Sequence, residues 1–125
     1  MDFDAVNFPS EAETCPVDLA IQVIGGKWRM LVLRSLLLSG AQRYNGLLKS
    51  VAGISPKELT RNLRALEAAR LITREPRANG PSQVDVYALT ELGAGLRPAF
   101  GLLGSFGVRL AGASRADIVP ASYQR

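Results

Sequence analysis

Apolar positions recur along this chain with two different periods, and the change of period marks its layout. Val17, Leu19, Ala20, Val23 and Ile24 stand at helical spacing and predict a first helix, which Gly25-Gly26 stops. A second helix is expected from about Trp28 to Leu38. Its residues Leu31, Val32, Ser35, Leu36 and Leu38 mix faces, so it is expected to be nearly buried, with Gly40 as its stop. A short third helix, about Tyr44 to Val51, turns Leu47, Leu48 and Val51 inward.

The fourth helix is the best specified. Ser55-Pro56-Lys57-Glu58 is a capping box with proline at the first helical position. Leu59, Leu63 and Leu66 form the buried stripe, while Lys57, Thr60, Arg61 and Arg64 collect on the opposite face. This helix is expected to end near Ala69 or Arg70. The period then changes. Leu71–Glu75 and Val84–Thr90 are rich in β-formers, and the Pro76–Ser82 connection carries turn residues including Asn79-Gly80. A β-hairpin with a long tip is predicted. Beyond Thr90, Leu92, Leu96, Ala99, Phe100, Leu103, Phe106 and Leu110 resume helical spacing, and Pro98 is expected to kink that helix early.

The ends lack such patterns. Residues 1–14 are polar, acidic and broken by Pro9, and read as a flexible arm; 113–125 read as a frayed tail. One domain over 15–112 remains, with no internal repeat. A chain of 125 residues suits a single domain.

Composition narrows the chemistry. The chain has no histidine and one cysteine, Cys15. Cys/His zinc sites, Ser-His-Asp and Cys-His catalysis, CxxC redox motifs and internal disulfides all lack their parts. With Asp85 and Glu91 isolated, no nucleophile–base pair can be assembled, so an enzyme is not expected, nor a metal or cofactor. Gly25-Gly26-Lys27 is no phosphate loop: Ile21 stands where the earlier glycine belongs and Trp28 where Ser or Thr belongs. A tight turn with Trp28 packed beneath the first helix is expected instead, with Lys27 still within reach of a phosphate.

The formal net charge is +4. It is unevenly spread. Residues 1–20 carry Asp2, Asp4, Glu11, Glu13 and Asp18 without Lys or Arg, whereas 43–77 hold Arg43, Lys49, Lys57, Arg61, Arg64, Arg70, Arg74 and Arg77 against Glu58, Glu67 and Glu75. A polyanion is therefore expected at the middle of the chain. The acidic N-terminus does not resemble a secretory signal, and the charge-free run Pro98–Val108 is far short of the ~20 residues that span a bilayer. A cytoplasmic protein without membrane contact is expected, and a lone thiol suits a reducing compartment.

Short helices leading into a capped, basic-faced helix and then a hairpin are the layout of a winged helix-turn-helix, a mainly α fold with a small β-hairpin (α+β). An α-helix fits the major groove of B-DNA, where arginine reads guanine N7 and O6. The hairpin, as a wing, would bring Arg74, Arg77 or Asn79 to the adjacent backbone or minor groove. The positive N-terminal end of the fourth helix, at Ser55 and Lys57, would sit near phosphate.

At this level of detail the residues resemble a known family. Cys15-Pro16-Val17, Ile24-Gly25-Gly26-Lys27-Trp28, Arg43-Tyr44-Asn45 with Leu47, Gly53-Ile54-Ser55, Leu59-Thr60, Leu63-Arg64, Leu66-Glu67, Leu71-Ile72 and Tyr87-Ala88-Leu89-Thr90-Glu91-Leu92-Gly93 are similar to the HxlR-type bacterial winged-helix transcriptional regulators. The resemblance spans about residues 15–110. It implies a homodimer, mostly repressing, on a roughly palindromic double-stranded operator, with dimer contacts from the N- and C-terminal helices. On this chain those would fall at Val17, Leu19, Ala20, Leu96, Phe100, Leu103, Phe106 and Leu110. Regulation would act through the dimer geometry. The chain departs from the family where Phe106-Gly107 stands in place of Trp-Gly, and where Gly101, Gly104 and Gly107 recur three apart.

Several residues admit two uses. Arg61 and Arg64 serve as base or phosphate contacts, or form ion pairs with Glu58 or Glu67. Asn45 caps the third helix or bonds phosphate. The three glycines mark a close helix–helix approach at an interface, or a weak helix held by packing. Cys15 matches the position of an oxidant-sensing or electrophile-sensing thiol in some family members, so an electrophile or small-molecule effector is the candidate regulator. A helix start lowers a thiol's pKa, while Glu11, Glu13 and Asp18 oppose that, and the plain alternative is a half-buried small residue. At the level of the whole chain, the rival to a DNA-binding regulator is a winged-helix protein–protein module.

Overall fold

The computed structural model describes residues 15–79 and 82–113, with side chains over 15–76 and 84–113. Helix α1 spans Pro16–Ile24 and α2 Lys27–Ser39, followed by a short strand β1, Gln42–Arg43. Helices α3 (Tyr44–Ser50) and α4 (Pro56–Ala68) lead into strands β2 (Ile72–Asn79) and β3 (Ser82–Leu89). Helices α5 (Glu91–Ala94) and α6 (Arg97–Gly112) complete the fold, a winged helix-turn-helix with a three-stranded antiparallel sheet of order β1-β3-β2. The expected acidic arm, and the expected tail beyond Ala113, lie outside the described residues.

Leucines from three helices make the core. Val32, Leu33 and Leu36 of α2, Leu47 of α3, and Leu59, Leu63 and Leu66 of α4 meet Val51, Ile54, Leu71, Ile72 and Tyr87. Helix α2 is less enclosed than its mixed pattern predicts. Lys27, Arg34 and Leu38 fall on one outward stripe, and Leu38 is 77 % exposed. Polar bonds tie α2 to its neighbours. The buried Ser35 hydroxyl lies 2.7 Å from that of Ser50, and Gln42 Nε2 donates to Ser35 Oγ at 2.9 Å. Arg29 donates to the Gln22 and Val23 carbonyls at the end of α1, at 3.2 and 3.0 Å. Arg97 does the same for Leu37 near the end of α2, at 3.0 Å.

The start of α4 follows the predicted capping box: the Ser55 hydroxyl accepts from the Glu58 N–H at 3.1 Å, and Glu58 Oε1 accepts from the Ser55 N–H at 3.2 Å. Its end is a Schellman motif. Arg70 N–H bonds Glu67 O at 2.9 Å and Leu71 N–H bonds Leu66 O at 3.0 Å, with Arg70 left-handed at φ 62°.

Two expectations are corrected. The hairpin has no long tip: β2 and β3 stay in register from Ile72↔Leu89 to Asn79↔Ser82, so the ladder runs through most of the expected loop. Pro76, opposite Asp85, is tolerated because β2 is an edge strand, where a missing N–H facing solvent loses nothing. The final helix is not one kinked rod. It breaks at Gly95-Leu96 into α5 and α6, and Pro98 sits in the first turn of α6, where its absent N–H would have had no partner. Trp28 is partly buried against the core, as are Val23 and Ile24 of α1, and its ring reaches the turn before α4, 3.6 Å from where a Cβ on Gly53 would sit.

Thr90 anchors α5 by accepting from the Gly93 N–H at 3.1 Å while donating to Arg70 O at 2.7 Å. Gly93 has to be glycine here, because a Cβ would collide with the Leu71 carbonyl. These contacts hold the end of α4, the root of the wing and the start of the C-terminal helices as one corner.

Candidate nucleic-acid interface

The outer face of α4 carries Lys57, Thr60, Arg61 and Arg64 around one shallow depression with Pro56. Lys57, Arg61 and Arg64 are exposed. Their aliphatic neighbours Leu59, Leu63 and Leu66 are buried on the opposite side, so the helix cannot rotate without exposing the core. The ion pairs expected as an alternative use of Arg61 and Arg64 do not form among the described residues: Glu67 pairs with Arg74, and Glu58 is held by Ser55. Both guanidinium groups therefore face outward with their forked donors available.

Glu58 shapes the electrostatics of the helix start. The Ser55 hydroxyl, donating to Oε1 at 2.9 Å, holds the Glu58 carboxyl below the usual carboxylate range, with the Ser55 N–H adding to the effect. Trp28 and the Arg61 charge contribute less, and partial desolvation opposes them. The Ser55 hydroxyl, expected at the DNA, is thus occupied within the cap as both donor and acceptor. Only the Lys57 side chain extends the positive helix end outward.

A second group sits at the start of α3. Arg43 and Asn45 are exposed beside a groove lined by Gln42, Tyr44, Gly46 and Val84, where β1 pairs with β3 through Arg43↔Val86. Asn45 does not cap α3: the N-cap position is Arg43, without a side-chain cap bond. Tyr44 joins this group to α4. Its hydroxyl donates to Pro56 O at 2.9 Å and lies 3.0 Å from Thr60 Oγ1. In the sequence Tyr44 marks a helix start and belongs to the Arg43-Tyr44-Asn45 pattern; nothing local announces its bonds to α4, whose partners lie 12 and 16 positions on.

The remaining expected contacts stand apart. The Lys27 ammonium lies 4.8 Å from the Trp28 ring centroid, a cation–π contact. Arg74 is committed within the wing root, 3.5 Å from Glu67 and 3.8 Å from Asp85. Burial pushes the neighbouring Tyr87 phenol up, an effect that Arg74 partly offsets. The side chains of Arg77 and Asn79 lie outside the described residues. Cys15 occupies the N-cap of α1, half-buried, and its side chain makes no capping bond. Among the described residues no group of three or more His, Cys, Asp or Glu could hold a metal ion, and no helix is long and apolar enough to cross a membrane.

The profile of the HxlR-like helix-turn-helix family matches residues 23–114. An uncharacterized HTH-type transcriptional regulator of Methanothermobacter thermautotrophicus is 39 % identical over 93 residues, covering 74 % of this chain and 70 % of that protein. The Bacillus subtilis regulator YybR, of the same description, is 36 % identical over 92 residues, covering 74 % and 72 %. Among solved structures, the redox regulator HypR in its oxidized form superposes with a TM-score of 0.68 at 33 % identity, covering 76 % of this chain and 96 % of that one.

Proposed function

The chain belongs to the HxlR-like helix-turn-helix family of DNA-binding transcriptional regulators, and from that premise we propose that it acts as a homodimeric repressor reading a pseudo-palindromic operator through α4. The carrying observation is the outward pair Arg61 and Arg64, free of ion pairs among the described residues, while Arg29, Arg74 and Arg97 are all engaged by carbonyls or carboxylates of the same chain. In this reading α4 enters the major groove, Arg61 and Arg64 reach base edges or phosphates, and Lys57, Arg43 and Asn45 hold the flanking backbone. Lys27 joins them at phosphate, and the wing brings Arg77 and Asn79 to the adjacent groove. Arg74 supports the wing root.

Two copies would meet through α1 and α6. Val17, Leu19, Leu103 and Phe106 are between 42 % and 53 % exposed in the single chain, an apolar surface that calls for a cover. Ala20 and Leu110 extend it, whereas Leu96 and Phe100 face the chain's own core in part. Two-fold symmetry then spaces two α4 helices about one DNA turn apart.

The test is operator binding by an Arg61→Ala, Arg64→Ala double variant at several salt concentrations. Each lost base contact should cost about 1–3 kcal/mol, and each lost phosphate contact should flatten the slope of log affinity against log salt by about 0.9. Unchanged affinity and slope would leave a protein–protein module as the better reading.

Cys15 is proposed as the point where an oxidant or electrophile acts, supported by the redox role named for HypR and by the position of the thiol at the start of α1, beside the proposed dimer surface. Diamide should release the wild-type protein from its operator and leave a Cys15→Ser variant bound. Equal release of both would remove the thiol from the mechanism.

A further inference from the structure

The bond between Tyr44 and α4 has a consequence for which bases the helix can read. The Pro56 carbonyl can only accept, so the single phenolic proton of Tyr44 points to it, at 2.9 Å. The Thr60 hydroxyl, 3.0 Å from the same phenolic oxygen, is then the donor of that second bond. Its one proton is committed inward. Towards the depression that it shares with Lys57, Arg61 and Arg64, Thr60 therefore offers only oxygen lone pairs. The other polar side chains around it are all pure donors, so the depression displays one acceptor among donors.

From this polarity we infer that Thr60 selects adenine or cytosine, through N6 or N4 amino protons, against guanine or thymine on the strand that it contacts, and that Tyr44 is the positioning residue that sets the choice. The major groove makes the distinction available: adenine and cytosine present amino donors there, whereas guanine O6 and N7 and thymine O4 only accept. A threonine with a rotating hydroxyl accepts or donates and discriminates poorly. One whose proton is held by Tyr44 is a one-sided reader. The surrounding arginines favour guanine, so each half-site should combine guanine positions with one amino-bearing base. This inference rests on the reading of α4 as the recognition helix.

The experiment is selection of bound sequences from a duplex library with randomised half-sites, using the full chain and its Tyr44→Phe and Thr60→Val variants, with thermal melting to confirm that each folds. The wild type should enrich adenine or cytosine at one position per half-site. Thr60→Val, which keeps the shape without the hydroxyl, should lose that preference while the guanine positions persist. Tyr44→Phe frees the threonine proton, so guanine or thymine should become tolerated at the same position, with discrimination falling about five- to tenfold. A wild-type preference for guanine or thymine at the Thr60-dependent position would overturn the inference, as would an unchanged profile in both variants. Should Tyr44→Phe fail to fold, Thr60→Val alone decides. Failure of the wild type to enrich any sequence would overturn the recognition-helix reading itself, and this inference with it.

Discussion

Ser55 and Glu58 hold each other at the start of α4 through reciprocal bonds of 2.9 to 3.2 Å, and the carboxyl must be ionised to accept both of the Ser55 protons well. Because the folded carboxyl titrates below its usual range, its contribution to stability is fully present above the unfolded value and is lost as the pH falls through the folded one. Glu58→Gln should therefore melt below the wild type at neutral pH, and the gap should close on acidification beneath the ordinary carboxylate range. A gap that stays constant with pH would mean that the charge is irrelevant to the cap. Arg70 is the other residue whose backbone is set by its place. At φ 62° it fills a Schellman position where glycine is usual, because the 6→1 and 5→2 bonds fix that conformation whatever the side chain.

At the scale of elements, legibility followed how completely each element's own residues determine it. Helix α4 has its cap, its buried stripe and its basic face written at fixed offsets, and the predicted start coincides with the observed one. The wing was harder, since Pro76 and the Asn-Gly pair read as a loop in isolation. Pairing with β3 carries the ladder past them, because the cross-strand partners and the edge position override local turn propensity. Strand β1 is two residues long and has no period to detect; it exists only because β3 offers it a partner. Pro98 read as a kink, yet the chain uses it to begin α6, and Arg97 beside it reaches the Leu37 carbonyl to fix where that helix starts.

The molecule carries two main kinds of surface, and Leu38 of α2 and Leu92 of α5 are exposed apolar residues outside both. Around α4 and α3 the surface is cationic, while α1 and α6 carry most of the exposed large apolar residues, with Leu102 and Val108 each 74 % exposed besides those expected. A Cβ added to Gly101, Gly104 or Gly107 would meet nothing within 4 Å, so no neighbour among the described residues requires those glycines. In the proposed dimer, a second copy packed closely along α6 would give them a use. Phe106→Glu should convert the proposed dimer to monomers in analytical ultracentrifugation, since an unpaired charge buried at such a contact costs about 3–5 kcal/mol. Retention of the wild-type sedimentation behaviour would exclude that face, and a wild type that sediments as a monomer would exclude the dimer.

The sequence alone determined what depends on near neighbours: the capped start of α4, its opposed leucine and basic faces, the change to β-pattern at Leu71, and the absence of histidine chemistry. Those signals lie within one or two helical turns, where spacing dictates geometry. Only the tertiary structure decided which charges are spoken for. Arg29, Arg74 and Arg97 look no different in sequence from Arg61 and Arg64, but carbonyls and carboxylates of other elements capture the first three and leave the other two facing outward. It also decided the state of Thr60, whose proton is directed by a tyrosine 16 positions away. Hydrogen bonds are directional and short-ranged, so such assignments follow from contacts that the order of residues does not contain.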